Sequence, residues 1–145
     1  MTVGRICVRN VDLADATETV QAAAQRMHSR NVGTLLVVDS EQHPQGIITD
    51  RDLCIRVVGE SREPVATTVG EVMTECPTCI GEETPIEAAI TLMRSGPFRR
   101  LPVVDCNGEL VGLVSLDDIL DLLTEEFRDI GELLAGESPR SLAQP

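Results

Sequence analysis

An internal repeat constrains this chain more than any other feature. Slid against itself by 66 residues (86 − 20), the 145-residue sequence aligns Val20–Leu53 with Ile86–Ile119 without a gap. The register pairs Ala22-Ala23 with Ala88-Ala89, Met27 with Met93, Ser29 with Ser95, Val37-Val38-Asp39 with Val103-Val104-Asp105, Gly46 with Gly112 and Asp52 with Asp118. Most other pairs are apolar on apolar. The chain therefore reads as two copies of one unit, each too small to bury a full core alone.

Each copy carries the same order of signals. Val20, Ala23, Ala24 and Met27 recur at helical spacing, as do Ile86, Ala89, Ile90 and Met93, so each copy has an amphipathic helix with one buried side. Thr84-Pro85-Ile86-Glu87 reads as a capping box opening the second of these. Thr34–Val38 and Leu101–Val104 are short, β-branched apolar runs and predict buried strands. Polar turns follow, at 39–45 and 105–109, then second strands ending at Ile48 and Val114. Thr49 and Ser115 stand where a further helix needs its N-cap. Short extended segments, Cys7–Leu13 and Thr78–Ile80, precede the copies. The expected class is α+β, strand-helix-strand-strand-helix repeated, with one copy covering the sheet face the other leaves bare. The expected division is a first unit over 1–63, a linker over 64–70, a second unit over 71–135 and a flexible tail over 136–145. Leu116, Ile119, Leu120, Leu123, Phe127, Ile130 and Leu134 fall on one stripe of a long last helix, an apolar face that needs cover and predicts a homodimer.

Charge narrows the partners. Twelve basic against twenty-four acidic residues give a net charge of −12, which repels phosphate backbones and anionic membranes alike. With two Phe and no Trp or Tyr, the chain also lacks platforms for stacking single-stranded bases. Neither nucleic acid nor membrane is expected as a partner. No run approaches the roughly 20 apolar residues that span a bilayer, and the first residues do not read as a signal peptide, so a cytoplasmic location is expected. Five cysteines, an odd and scattered set, suit free thiols better than a disulfide framework.

The phrases Gly46-Ile47-Ile48-Thr49-Asp50-Arg51-Asp52 and Gly112-Leu113-Val114-Ser115-Leu116-Asp117-Asp118 resemble the CBS-domain pattern of Gly, two apolar residues, Thr or Ser, two variable positions and Asp. Arg99-Arg100-Leu101-Pro102-Val103-Val104-Asp105 and Val69-Gly70-Glu71-Val72-Met73-Thr74 are similar to further phrases of that family. The resemblance spans roughly residues 1–125. It implies a pseudo-twofold pair of CBS repeats with two clefts, often called a Bateman module. It further implies an adenosine-containing ligand, such as AMP, ADP, ATP, S-adenosylmethionine or a nicotinamide nucleotide, and regulation of another protein. Because no catalytic domain is recognised beside the repeats, the regulated target is expected to be a separate chain.

The motif has its own chemistry. A carboxylate can accept both hydroxyls of a ribose, which suits Asp52 and Asp118. Thr49 and Ser115 stand at helix starts, where free N–H groups and the helix dipole favour phosphate. The same spacing is also an ordinary helix cap, and cap and ligand site can coexist. Arg51, Arg99 and Arg100 are candidate phosphate partners, with Thr34 and Thr78 as further candidate ligand contacts. Arg99-Arg100 aligns with Gly33-Thr34, which carries no charge, so the two sites should differ. The site using Ser115, Asp118 and Arg100 is expected to hold phosphate better. Cys76-Pro77-Thr78-Cys79 has C-x-x-C spacing, which admits a metal or redox role for Cys76 and Cys79, but Cys79 aligns with apolar Leu13 and reads more simply as a buried thiol. A redox- or zinc-responsive protein and a ligand-free dimerisation module are the competing readings. No nucleophile–base constellation points to an enzyme.

Overall fold

The computed structural model describes residues 1–96 and 98–137, so most of the expected tail over 136–145 lies outside the described residues. The fold is α+β, with two three-stranded sheets carrying helices. In the first unit, Thr19 caps α2 (Val20–Arg30), its hydroxyl accepting from the Ala22 N–H at 3.2 Å. The helix ends at Asn31 in the left-handed conformation and buries Val20, Ala23 and Met27. Strands β1 (Thr34–Val38) and β2 (Pro44–Thr49) pair antiparallel, with Thr34 opposite Thr49. A short α3 (Asp50–Leu53) follows and widens into a π-helical turn over Cys54–Val58.

The second unit repeats this plan with β4 (Ile80–Gly81), α5 (Ile86–Ser95), β5 (Arg100–Val104), β6 (Leu110–Ser115) and α6 (Leu116–Gly136), and Arg100 lies opposite Ser115. In both turns the aspartate after the first strand holds the loop. Asp39 accepts from the Glu41 and His43 N–H groups, and Asp105 from those of Asn107 and Glu109. The capping box expected at Thr84 does not form. Pro85 occupies the N-cap position without a side-chain bond, and the Ile86 N–H donates to the Met1 carbonyl at 3.2 Å.

That bond belongs to an exchange of segments. Two one-turn helices, α1 (Val3–Ile6) and α4 (Val69–Val72), sit 66 residues apart, and each packs on the unit other than the one it introduces. Val3 completes the core of Ile80, Ile86, Ala89, Leu101, Val103, Val114 and Ile119. Val69 and Val72 complete that of Val20, Ala23, Met27, Leu35, Val37, Ile48 and Val57. Each segment then adds to the foreign sheet: Val8 bridges Leu113, and β3 (Thr74–Glu75) pairs with β2 at Ile47 and Gly46.

The repeat glycines owe their place to this exchange. A Cβ on Gly112 would stand 2.7 Å from the Cys7 sulfur and 2.8 Å from the Val8 carbonyl, and one on Gly46 would collide with the Met73 thioether. The chain around the expected linker at 64–70 is itself packed. Thr67 is buried and Val69 fully so, and residues 71–75, expected at the start of the second unit, are built into the first. A sheet edge needs cover, and the connecting chain supplies it. Among the described residues no helix is long and apolar enough to cross a membrane.

Candidate functional site

The strand ends bearing Thr49 and Ser115 open into two clefts, each built from both halves of the chain. The larger, about 470 Å³, is lined by Thr49, Arg51, Asp52 and Arg56 from the first unit, Thr74 and Thr78 from the connecting segment, and Phe98, Arg99 and Arg100 from the second. The smaller, about 210 Å³, is lined by Asn10, Asp12, Gly33 and Thr34 from the first half and by Arg100, Ser115 and Asp118 from the second. Arg100 borders both.

Both aspartates complete capping boxes. The Thr49 N–H donates to Asp52 Oδ2 at 2.9 Å while the Asp52 N–H donates to Thr49 Oγ1 at 3.2 Å, and Ser115 and Asp118 make the same pair of bonds at 2.8 and 3.2 Å. The Ser115 hydroxyl also donates to Asp118 Oδ2. The capping thus engages one oxygen of each carboxylate and leaves Oδ1 to other partners. For Asp52 that partner is Arg56, whose guanidinium stands 3.7 Å from Oδ1. Arg56 is itself fixed by donating to the Val72 carbonyl at 2.7 Å and to Thr74 Oγ1 at 3.2 Å, so the exchanged segment braces the cleft.

The clefts differ in charge. The larger gathers Arg51, Arg56, Arg99 and Arg100 around a single carboxylate, and Arg51, Arg99 and Arg100 pair with no acidic side chain among the described residues. The smaller has Asp12 and Asp118 against Arg100, with Asp12 held by Arg30 at 2.8 Å. Its Thr34 hydroxyl is buried, at 8% residue exposure, and has no hydrogen-bond partner. An orphan of that kind carries a desolvation cost that a ligand can relieve.

This layout corrects one expectation. Arg99 does not join Ser115 and Asp118; it stands with Arg51, Thr49 and Asp52, and of the three candidate arginines only Arg100 lines both clefts. The cause is the crossed construction, in which each cap faces the strand start of the opposite unit. Thr78 lies with Thr49, and Thr34 with Ser115. Arg56, Asp12 and Phe98 are cleft residues that the sequence reading missed. Arg56 was signalled by its i+4 spacing from Asp52, and Asp12 by its alignment with Thr78.

The cysteines take no part in either cleft. Burial pushes the Cys79 and Cys7 thiols up from their ordinary pKa, which disfavours the thiolate. Cys76 is exposed, and among the described residues no three His, Cys, Asp or Glu side chains group as metal ligands.

A family model described as CBS domain matches residues 3–59 and 69–125. An uncharacterized protein of Methanopyrus kandleri is 34% identical over 84% of this chain, which spans 62% of that relative's length. Similar solved structures include the following three. One is Hypoxic Response Protein I with two coordinated zinc ions, at 28% identity, TM-score 0.74, covering 83% of this chain and 98% of that one. Another is a CBS-pair protein from Arabidopsis thaliana in complex with AMP, at 25% identity, TM-score 0.74, covering 86% and 97%. The third is a CBS domain pair in complex with 5′-methylthioadenosine and S-adenosyl-L-methionine, at 25% identity, TM-score 0.78, covering 87% and 98%.

Proposed function

The chain belongs to the CBS-domain family, and on that premise we propose that it is a regulatory module sensing an adenosine-containing small molecule in its clefts. The observation that carries this reading is the larger cleft. There Asp52 keeps one oxygen out of its cap, while three guanidinium groups without an acidic partner line the same cavity. A ribose diol suits the carboxylate and a phosphate suits the arginines. A nucleotide such as AMP, ADP or ATP is the ligand of this cleft. The smaller, more acidic cleft suits an unphosphorylated or cationic adenosine compound, with Thr34 as a hydrogen-bond partner. The similar structures holding AMP, 5′-methylthioadenosine and S-adenosyl-L-methionine support the ligand class.

The module carries no catalytic step of its own, works in the cytoplasm as a homodimer and acts on a separate target protein. The zinc-bearing relative favours a second reading, zinc response. It ranks lower because the C-x-x-C here has no neighbouring ligand set among the described residues.

Titration calorimetry of AMP into the parent and into Asp52→Asn tests the first reading. Asparagine keeps a carbonyl for the Thr49 N–H, so the unliganded fold should lose no more than about 1 kcal/mol. AMP affinity should fall at least about tenfold through the lost charge-assisted bonds. Undetectable nucleotide binding by the parent, or equal binding by the variant, removes the reading.

A further inference from the structure

Beside the larger cleft lies a second cavity of about 580 Å³, to which α5 contributes Ile90 and Arg94. The two cavities share Arg51, Phe98, Arg99 and Arg100 as a common wall. Arg94 stands in the last turn of α5 and lines the outer cavity alone. Among the described residues no carboxylate lines this outer cavity.

The charges are the informative part. All twelve basic residues of the chain are arginines, and Arg9, Arg26, Arg30, Arg56 and Arg62 each have a carboxylate within 4.0 Å. Arg51, Arg94, Arg99 and Arg100 have none among the described residues, although acids outnumber bases two to one. Guanidinium groups gathered at one place repel one another, and an anion supplied from outside relieves that repulsion. Each can take phosphate in a two-pronged fork. A single terminal phosphoryl group offers three acceptor oxygens and about two negative charges, too few to occupy four forks spread over two cavities. A chain of phosphoryl groups has enough of both.

We propose that the outer cavity is a polyphosphate subsite, in which the first phosphate of a nucleotide lies at the shared wall and the later ones reach Arg94, so that the module senses nucleoside triphosphate over monophosphate. This rests on the reading of the larger cleft as an adenosine-nucleotide site and deepens it by adding phosphate-chain length to what that cleft selects. Arg94 is the specificity-determining residue, because it alone of the four arginines lies off the shared wall.

Calorimetry of AMP, ATP and inorganic tripolyphosphate, in magnesium-free buffer with EDTA, into the parent, Arg94→Gln and Arg128→Gln tests it. Arg94 is exposed, so its variant should melt like the parent. ATP should bind the parent at least about tenfold more tightly than AMP through the added charge-assisted contacts. Arg94→Gln should lower ATP affinity about tenfold, the loss of one such contact, and keep AMP affinity within about twofold. Arg128→Gln, exposed on α6 and outside both cavities, should change neither. Equal affinity of the parent for AMP and ATP, equal losses of both with Arg94→Gln, or an ATP loss no greater than that with Arg128→Gln overturns the proposal and leaves the nucleotide reading standing. Tripolyphosphate that binds through Arg94 where neither nucleotide binds keeps the subsite and removes the adenosine reading. A parent that binds none of the three removes both.

Discussion

The two clefts share one backbone plan and oppose each other in charge. Position by position, Arg51 corresponds to Asp117, Arg56 to Leu122, Arg99 to Gly33, Arg100 to Thr34 and Thr78 to Asp12. Among the polar lining residues the capping pairs Thr49–Asp52 and Ser115–Asp118 are kept in kind. The comparison separates two layers of information. The cap and the glycine beneath the exchanged segment build the cleft, and a handful of flanking side chains decide what charge it accepts.

The largest effect expected from this contrast is at Arg99. Arg99→Glu should lower AMP affinity about a hundredfold, because it removes a charge-assisted bond and adds repulsion beside the phosphate. Asp118→Asn should leave AMP affinity nearly unchanged, as measured by the same calorimetry. An inverted pattern would return the phosphate site to Ser115 and break the crossed assignment.

Next in size are the glycines. Gly46→Ala and Gly112→Ala should each cost about 1–3 kcal/mol in urea unfolding, the range for overpacking. Gly112→Ala should cost more, since it meets the Val8 backbone carbonyl whereas Gly46→Ala meets only the Met73 side chain. Equal costs would mean that the exchanged segments yield equally.

Thr34→Val is smaller and of opposite sign. Replacing an unpartnered buried hydroxyl should stabilise the unliganded protein by about 1 kcal/mol, while weakening any adenosine compound held in the smaller cleft. A loss of unliganded stability would show that Thr34 is satisfied from within.

The smallest effect concerns acid. Glu18 takes a two-pronged bond from Arg26, at 2.6 and 2.7 Å, and that bond holds its pKa below the usual glutamate range. Its stabilisation is therefore present above that range and is lost as pH falls through it to the lowered value. The second unit has Thr84 and Leu92 at these places. Glu18→Gln should remove up to about 1 kcal/mol at neutral pH and flatten the acid limb of the stability curve. An unchanged acid limb would place the sensitivity elsewhere.

Much of this architecture could be read from the chain, and the reasons are local. The strands were legible as β-branched runs at Thr34–Val38 and Leu101–Val104, the second beginning one residue earlier in the structure, and the caps at Thr49 and Ser115 as Thr or Ser followed three residues later by Asp. The exchange was not legible. α1 and α4 are single turns, too short for any periodicity, and Val8 joins its sheet through one bridge. Without the exchange, pairing Arg99 with the nearby Ser115 was the natural reading of sequence order. Which residues share a cleft depends on long-range closure, which no short pattern encodes.

The exchanged segments also define what counts as one piece of this molecule. Cut between its copies, the chain yields a first half without Val69 and Val72 and a second half without Val3, each with a hole in its core and an uncovered strand. The copies are reciprocal keystones, so the pair rather than the repeat is the smallest part that closes both cores.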